Sequence, residues 1–332
     1  MPGSHPGSDP AVTPGVTPGA LPRYAFLGPA GTFTEAALRQ VVSPDDAEYL
    51  PQVDVVSALE AVRIGTADYA VVPIENSVEG GVTATLDTLA TGDSLVVLGE
   101  ALVQVEFVLA GRAGTRLDHV ERVSTHPHAW AQCRRWFNAN LPAAVHVPAT
   151  STAAAAALLA RTPAAADPGF DAVLVAPLSA ERYGLEVLAR HVADNESAVT
   201  RFVVVGRPGD LPAPTGADKT SLVVHLASND AGALLEMLEQ FAARGVNLSR
   251  IESRPIGDLL GRYSFSIDAE GHIAEERVAE ALMGLHRACP YVRFLGSYPR
   301  ADRAVTEVRP GTADLDFAAA RDWVEAQRRR PE

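Results

Sequence analysis

Short apolar runs alternate with stretches of helical period along most of the chain, the pattern of an α/β protein. Residues 23–27 read as a strand, 28–32 (GPAGT) as a turn and 34–42 as a helix. Residues 53–64 read as a helix, 70–74 as a buried strand and 82–89 as a further helix. A second α/β stretch follows, with strands at 95–98, 103–110, 122–125 and 145–148 and a helix over 129–137. Ser151 and Thr152 open an alanine-rich helix to residue 160 with good N-cap chemistry, and 172–176 is a strand of small apolar residues. Residues 202–205 form the last strand before a Pro/Gly-rich linker, 207–214. Beyond it the order is strand (220–226), helix (232–245), strand (248–254), strand (260–267), helix (274–288) and strand (292–295). That βαββαβ order is the ferredoxin-like arrangement. Residues 312–330 read as a surface helix, with acids in its first turn and arginines at its end, in the sense that complements the helix dipole.

Composition narrows the classes. A chain of 332 residues has room for two or three domains, and 47% hydrophobic content excludes wholesale disorder. A formal net charge of −13 argues against a nucleic-acid binder, which needs a basic face. An acidic chain with an anionic substrate must concentrate positive charge locally, so single arginines matter. Cys133 and Cys289 form neither a metal-ligand spacing nor a disulfide framework, which fits a reducing cytoplasm. No run approaches the ~18 apolar residues of a membrane span. Residues 1–22, rich in Pro, Gly, Ser and Thr, lack the features of a signal peptide and read as a disordered tail.

The most informative polar cluster is Glu75-Asn76-Ser77, directly after the apolar strand and before Gly80-Gly81. Open α/β sheets bind ligands beyond the carboxyl ends of their strands, and a carboxylate, an amide and a hydroxyl offer donors and acceptors there. A capping turn before the next helix is the plainer alternative. Thr200-Arg201-Phe202 opens a second apolar run. Arg201 supplies a planar, bidentate cation suited to a carboxylate, and Thr200 a hydroxyl that can assist a departing oxygen. An alcohol is a weak general acid unless its surroundings help it. Thr150-Ser151-Thr152 reads as an N-cap that could also receive an anion, and the amides behind Gly28–Thr32 could hold a carboxylate. No lysine and no full glycine fingerprint supports a nucleotide loop there. His126 and His128 lie two apart with no third ligand nearby in sequence, so no metal is expected. Ser77 has no evident triad partners.

Together these segments are specific. GPAGTFTEAAL (28–38), VVPIENSVEGG (71–81), STHPHAWAQC (124–133), TST (150–152) and TRFVVV (200–205) resemble the monofunctional bacterial prephenate dehydratases. GALLEML (232–238) and ESRP (252–255) resemble the two hallmark stretches of that family's ACT regulatory domain. The resemblance runs in family order over about residues 23–298. It implies decarboxylative dehydration of prephenate to phenylpyruvate, without a cofactor, in a two-lobed catalytic region resembling a periplasmic binding protein. Expected boundaries are a tail at 1–22, a catalytic region at 23–207 (one lobe about 23–100 plus 187–207, the other about 101–186), a linker at 208–218, an ACT domain at 219–298 and a partly helical tail at 299–332. Thr200 is expected to assist departure of the hydroxyl. Glu75, Asn76, Ser77, Thr125, Ser151, Thr152, Arg201 and Phe202 are expected to bind substrate, with Arg201 neutralising a carboxylate. L-phenylalanine is the implied effector, at Gly232, Ala233, Leu234, Leu235, Asn247, Leu248, Glu252, Ser253, Arg254 and Pro255, in a cytoplasmic homodimer or homotetramer. With no mutase-sized segment before residue 23, the bifunctional arrangement is not expected. Many family members carry an asparagine two residues before the threonine where this chain has Ala198, so Asn195 or another group would have to substitute. Arogenate as substrate, or a non-catalytic amino-acid sensor, are the alternatives.

Overall fold

The computed structural model describes residues 20–78, 80–256 and 263–329. Residues 1–19 of the expected tail, the start of the strand expected from Leu260, and Arg330 at the end of the expected C-terminal helix lie outside them. The first lobe begins β1 (Arg23–Leu27), α1 (Phe33–Val41), β2 (Glu48–Gln52), α2 (Val55–Arg63) and β3 (Tyr69–Asn76). It continues with β4 (Gly80–Gly81), α3 (Thr83–Ala90) and β5 (Val96–Gln104). The second lobe holds β6 (Val108–Gly111), β7 (Arg122–Thr125), α4 (Pro127–Ala131), α5 (Arg134–Asn140) and β8 (Val145–Pro148), then α6 (Thr152–Arg161), β9 (Ala172–Val175), α7 (Pro177–Arg182) and β10 (Glu186–Ala189). The chain then returns to the first lobe as β11 (Val199–Gly206).

The first sheet has the order β2-β1-β3-β11-β5, with β4 on the end of β3, and the second the order β10-β6-β9-β7-β8. Strand β11 lies between β3 and β5 and is antiparallel to both. Two segments, near 105–107 and 190–198, therefore connect the lobes.

Several expectations are corrected here. Two strands were expected at 95–98 and 103–110; two are present, but the break between them falls at 105–107, and β5 runs through Gly99 and Glu100 because β11 pairs with it along its length. The return to the first lobe was expected near 187, yet β10 belongs to the second sheet, and Leu188 and Ala189 pack on that lobe's core. The single helix expected over 129–137 is two short ones. The break falls at Cys133, which is fully buried, and the Asp194 carboxylate from the returning segment caps the new start by accepting from Arg135 N (3.0 Å) and Trp136 N (3.1 Å). β2, α7 and the separate β10 carry no clear period and were not anticipated.

The C-terminal part comprises β12 (Asp218–His225), α8 (Ala233–Ala242), β13 (Leu248–Pro255), β14 (Tyr263–Glu270), α9 (Glu276–Ala288) and β15 (Tyr291–Pro299). It forms an antiparallel sheet of order β13-β14-β12-β15, the ferredoxin-like arrangement. One face is covered by α8 and α9 over Leu222, Val224, Phe265 and Ile267. The other lies on the first lobe. Val223, Leu295 and Tyr298 enter the same core as Val97, Val203 and Val205, so the two sheets share one apolar layer. Helix α10 (Asp314–Arg328) lies on the surface, tied to α9 by Arg321–Glu276 at 2.6 Å. Among the described residues no helix is long and apolar enough to cross a membrane.

Candidate active site

Two helices point their amino ends into the space between the lobes. Thr32 caps α1, its hydroxyl accepting from Glu35 N, and Ser151 caps α6, accepting from Ala154 N at 3.0 Å. The remaining first-turn amides have no acceptor inside their helices, and the dipoles add partial positive charge at both ends. Between them lies a cavity of about 380 Å³. Its walls include Gly28 and Thr32–Thr34 from the first lobe, Thr150–Thr152 from the second, and Asn76 and Thr200 at the strand ends. Phe33, Val105 and Phe107 supply an apolar side, with Phe33 and Phe107 packed edge to face at 5.5 Å between ring centres. His126, His128 and Gln132 complete it. Among the described lining residues there is no Lys, Arg, Asp or Glu.

Thr200 and Asn76 are direct cross-strand partners on β11 and β3, so their side chains share a face. Asn76 Nδ2 donates to Thr200 Oγ1 at 2.9 Å, and Asn76 Oδ1 accepts from Val78 N at 2.8 Å. With an amide hydrogen already donated into its oxygen, the Thr200 hydroxyl has its own proton available for an acceptor in the cavity.

Of the expected site residues, the catalytic candidate Thr200 and the substrate-binding candidates Asn76, Ser151 and Thr152 meet at this cavity. The others do not line it. Ser77 is exposed, and its hydroxyl accepts from Val199 N (2.9 Å), pinning β3 to the returning strand. Thr125 is fully buried and donates to Leu174 O at 2.7 Å, inside the second lobe's sheet. Phe202 is buried against Phe26, Leu38 and Val71 under α1. Ala198 lies in the second lobe's core, while the Asn195 amide oxygen accepts from Ser197 N and Oγ within its own turn. Among the cavity residues that sequence reasoning had not named as substrate ligands are Thr32–Thr34, Phe107, Gln132, Thr150 and the two histidines. The GPAGT turn and its helix start were the signal for the first of these. Among the described residues no group of three or more His, Cys, Asp or Glu could hold a metal ion.

Arg201 is the clearest correction. Side chains alternate across a strand, so the residue after Thr200 points to the opposite face. There Arg201 is buried, with Glu75 at 3.2 Å, Glu100 at 3.0 Å and a short ion pair to Asp268 of β14. Glu75, expected in the substrate shell, is thus part of this cluster. Lys219 Nζ holds Glu100 at 3.0 Å, and Arg250 Nε and Ser221 Oγ hold Asp268 at 2.8 and 2.6 Å. Burial alone would raise the Asp268 carboxyl, but the Arg250 and Arg201 guanidinium groups overcome it and hold it well below the usual carboxylate range. Because the folded value lies below the unfolded one, this stabilisation is complete at neutral pH and is lost as pH falls from about 4 toward the depressed value. Acid titration should therefore loosen the C-terminal sheet in that window, and Asp268→Asn should flatten the dependence in an acid-unfolding curve.

The same alternation sorts the expected effector residues. Glu252 and Arg254 face the catalytic lobes. Glu252 lies directly over Gly81, and Arg254 pairs with Asp87 of α3 at 3.0 Å and donates to Thr83 at 3.2 Å. In this structure both residues make docking contacts with the first lobe. Gly232 has φ +99°, a conformation that favours glycine, where it opens α8. Leu234, Leu235 and Asn247 are exposed, and Ala233 and Leu248 half-buried. Ser253 and Pro255 are exposed on the edge strand β13. A second cavity, of about 520 Å³, lies at the loop leading to α8, lined by Leu226–Asn229, Ile256, Tyr263 and Tyr291 among others.

Taken together, fold and site define a two-lobed α/β protein with a polar cavity between its lobes and a ferredoxin-like domain docked on the first lobe. The family pattern described as prephenate dehydratase matches residues 24–210. The prephenate dehydratase of Amycolatopsis methanolica is 47% identical over 310 residues, covering 93% of this chain and 99% of its own. A crystal structure of a prephenate dehydratase from Arthrobacter aurescens in complex with L-Phe is 56% identical, with a TM-score of 0.87, covering 93% of this chain and 100% of that one. A structure described as a quorum quenching acylase, GqqA, is 32% identical with a TM-score of 0.73, covering 84% and 98%. The chain belongs to the prephenate dehydratase family.

Proposed function

We propose that the chain converts prephenate to phenylpyruvate, carbon dioxide and water in the cavity between the lobes. The observation that carries this reading is the Asn76–Thr200 pair, set between two helix amino ends in a cavity whose described lining has no acidic or basic side chain apart from the histidines. Prephenate carries two carboxylates. With Arg201 turned away, the amino ends of α1 and α6 are the groups suited to receive them, one from each lobe. The ring carboxylate leaves as carbon dioxide, its electron pair completes the aromatic ring, and the ring carbon–oxygen bond breaks as one proton is taken up to form water. Thr200 donates a hydrogen bond to the departing oxygen, where negative charge develops, and Asn76 fixes the direction of that bond. Aromatisation supplies the driving force.

Arogenate would place an ammonium where prephenate has a keto group. The absence of Asp and Glu among the described lining residues favours prephenate. Ser151→Ala removes an N-cap worth about 1 kcal/mol and loosens the α6 end. It should raise KM several-fold with a smaller change in kcat, checked by steady-state kinetics. For control, we infer an ACT-type domain that takes L-phenylalanine at the loop before α8, in a cytoplasmic homo-oligomer. Supporting this are the positive φ of Gly232, the exposed Leu234, Leu235 and Ile251, and the edge of β13, unpaired among the described residues. The deciding experiment follows phenylpyruvate formation from prephenate and from arogenate, with and without L-phenylalanine. Rapid turnover of prephenate that responds to phenylalanine is expected. Turnover at the spontaneous rate, or acylase activity in its place, would overturn the reading.

A further inference from the structure

We propose that Asp268, in the C-terminal sheet, is a positioning residue for the dehydration step, acting on Thr200 through Arg201. The inference rests on Thr200 being the group that serves the departing oxygen. Its basis is the strand register. Thr200 pairs with Asn76 and Arg201 pairs with Glu75, so each member of the cavity pair is followed or preceded by a member of the ion cluster on the opposite face. Turning Thr200 about the axis of β11 would pull Arg201 out of that cluster.

On the β5 side the ladder holds β11 in unbroken register from Val199 to Val204. On the β3 side an extra residue, Ile74, lies opposite the Arg201–Phe202 step, so that ladder is locally disrupted one residue from Thr200. The side chain of Arg201 adds a constraint on the disrupted side. Its guanidinium bridges Glu100 on the neighbouring strand β5 and Asp268 on the docked domain, with Glu75 beside Nε. Asp268 is itself immobilised: it is fully buried, and Arg250, Ser221 and Arg201 all bond to it. Ser221 continues to the Tyr298 hydroxyl at 2.7 Å, and Tyr298 is packed in the apolar layer shared by the two sheets. Catalytic geometry in the cleft thus depends on a carboxylate outside the catalytic lobes.

The test is the steady-state kinetics of the full chain bearing Asp268→Asn, Arg201→Lys, both, or Arg277→Gln. Misplacement of a reacting group by about 1 Å can cost ~100-fold, and a partial loss of restraint should lower kcat about tenfold with KM within about twofold. Arg201→Lys keeps a cation among the carboxylates but loses the fork that bridges Glu100 and Asp268, and should lower kcat similarly. The double variant should be little worse than either single one, because both break one link. Arg277→Gln breaks the ion pair of a buried guanidinium with Glu275 in the same domain, outside the Asp268 cluster. It should lower the melting temperature yet leave kcat within about twofold of the parent. Wild-type kcat in a folded Asp268→Asn variant would overturn the proposal, as would kcat losses that simply follow melting temperature across the set. If Asp268→Asn does not fold, Arg201→Lys decides, and wild-type kcat there overturns the proposal. An inactive parent chain would instead count against the dehydratase reading.

Discussion

Thr200→Ala should lower kcat by about 100-fold or more, the scale on which a positioned proton or hydrogen-bond donor contributes to a transition state. The fold should survive, because the Thr200 main chain is held in ladders on both sides, opposite Asn76 on β3 and Val103 on β5. KM should change little, since the amino ends of α1 and α6 that receive the carboxylates are untouched. Thr200→Ser restores the donor but loses the methyl that fixes its rotamer, so it should fall between parent and alanine. Phenylpyruvate formation under saturating prephenate, beside a thermal melt of each variant, checks the order. Near-parental kcat for the alanine variant would remove Thr200 from the mechanism.

Gly296→Ala should have the largest effect on stability. Gly296 lies in β15 at φ +132°, and a β-carbon there would overlap the Val97 carbonyl oxygen of β5. The backbone conformation disfavours any side chain by about 1–3 kcal/mol, and the overlap adds to it because the obstacle is main chain and cannot rotate away. The contact sits where the C-terminal sheet meets the first lobe, so relief requires the sheet to lift. That should expose the apolar layer containing Val223, Leu295 and Tyr298 and leave Glu100 and Asp268 short of their cations. We expect a lower melting temperature, faster proteolysis in the 207–217 linker and a loss of kcat. A parental melting curve would show that the sheet shifts without cost.

Much of this was legible in the chain. Long elements with a clear period, such as α1, α6, β9 and the C-terminal βαββαβ set, stand close to where hydrophobic spacing put them. Ser151 caps α6 as its chemistry suggested. The misses have particular causes. Glu48–Gln52 carries a proline and only half-buried or exposed side chains, because it is an edge strand, so no alternation marks it. Gly99 and Glu100 look like a break, yet β11, distant in sequence, pairs across them. For Arg201, the alternation of a strand already placed it opposite Thr200. Which face met the cleft and which met another domain was fixed by the docking of the C-terminal sheet, and no local pattern reports that. The Asn76–Thr200 pair has the same character, since it depends on the register of strands joined only through an entire second lobe.

The position of β11 has a consequence for biosynthesis. As the nascent chain emerges, β1, β2, β3 and β5 are available early, but the facing edges of β3 and β5 have no partner until β11, which lies between them, arrives. The whole second lobe is translated in that interval, about ten seconds at typical elongation rates. The second lobe, contiguous and complete by β10, can close while the first still exposes two unpaired strand edges, which makes the N-terminal half the later one to mature. The interval is also when the chain is most open to wrong pairing between neighbouring ribosomes. A stall introduced just before Val199 should therefore raise aggregation during translation, whereas the same stall placed far enough downstream for β11 to have left the ribosome should not.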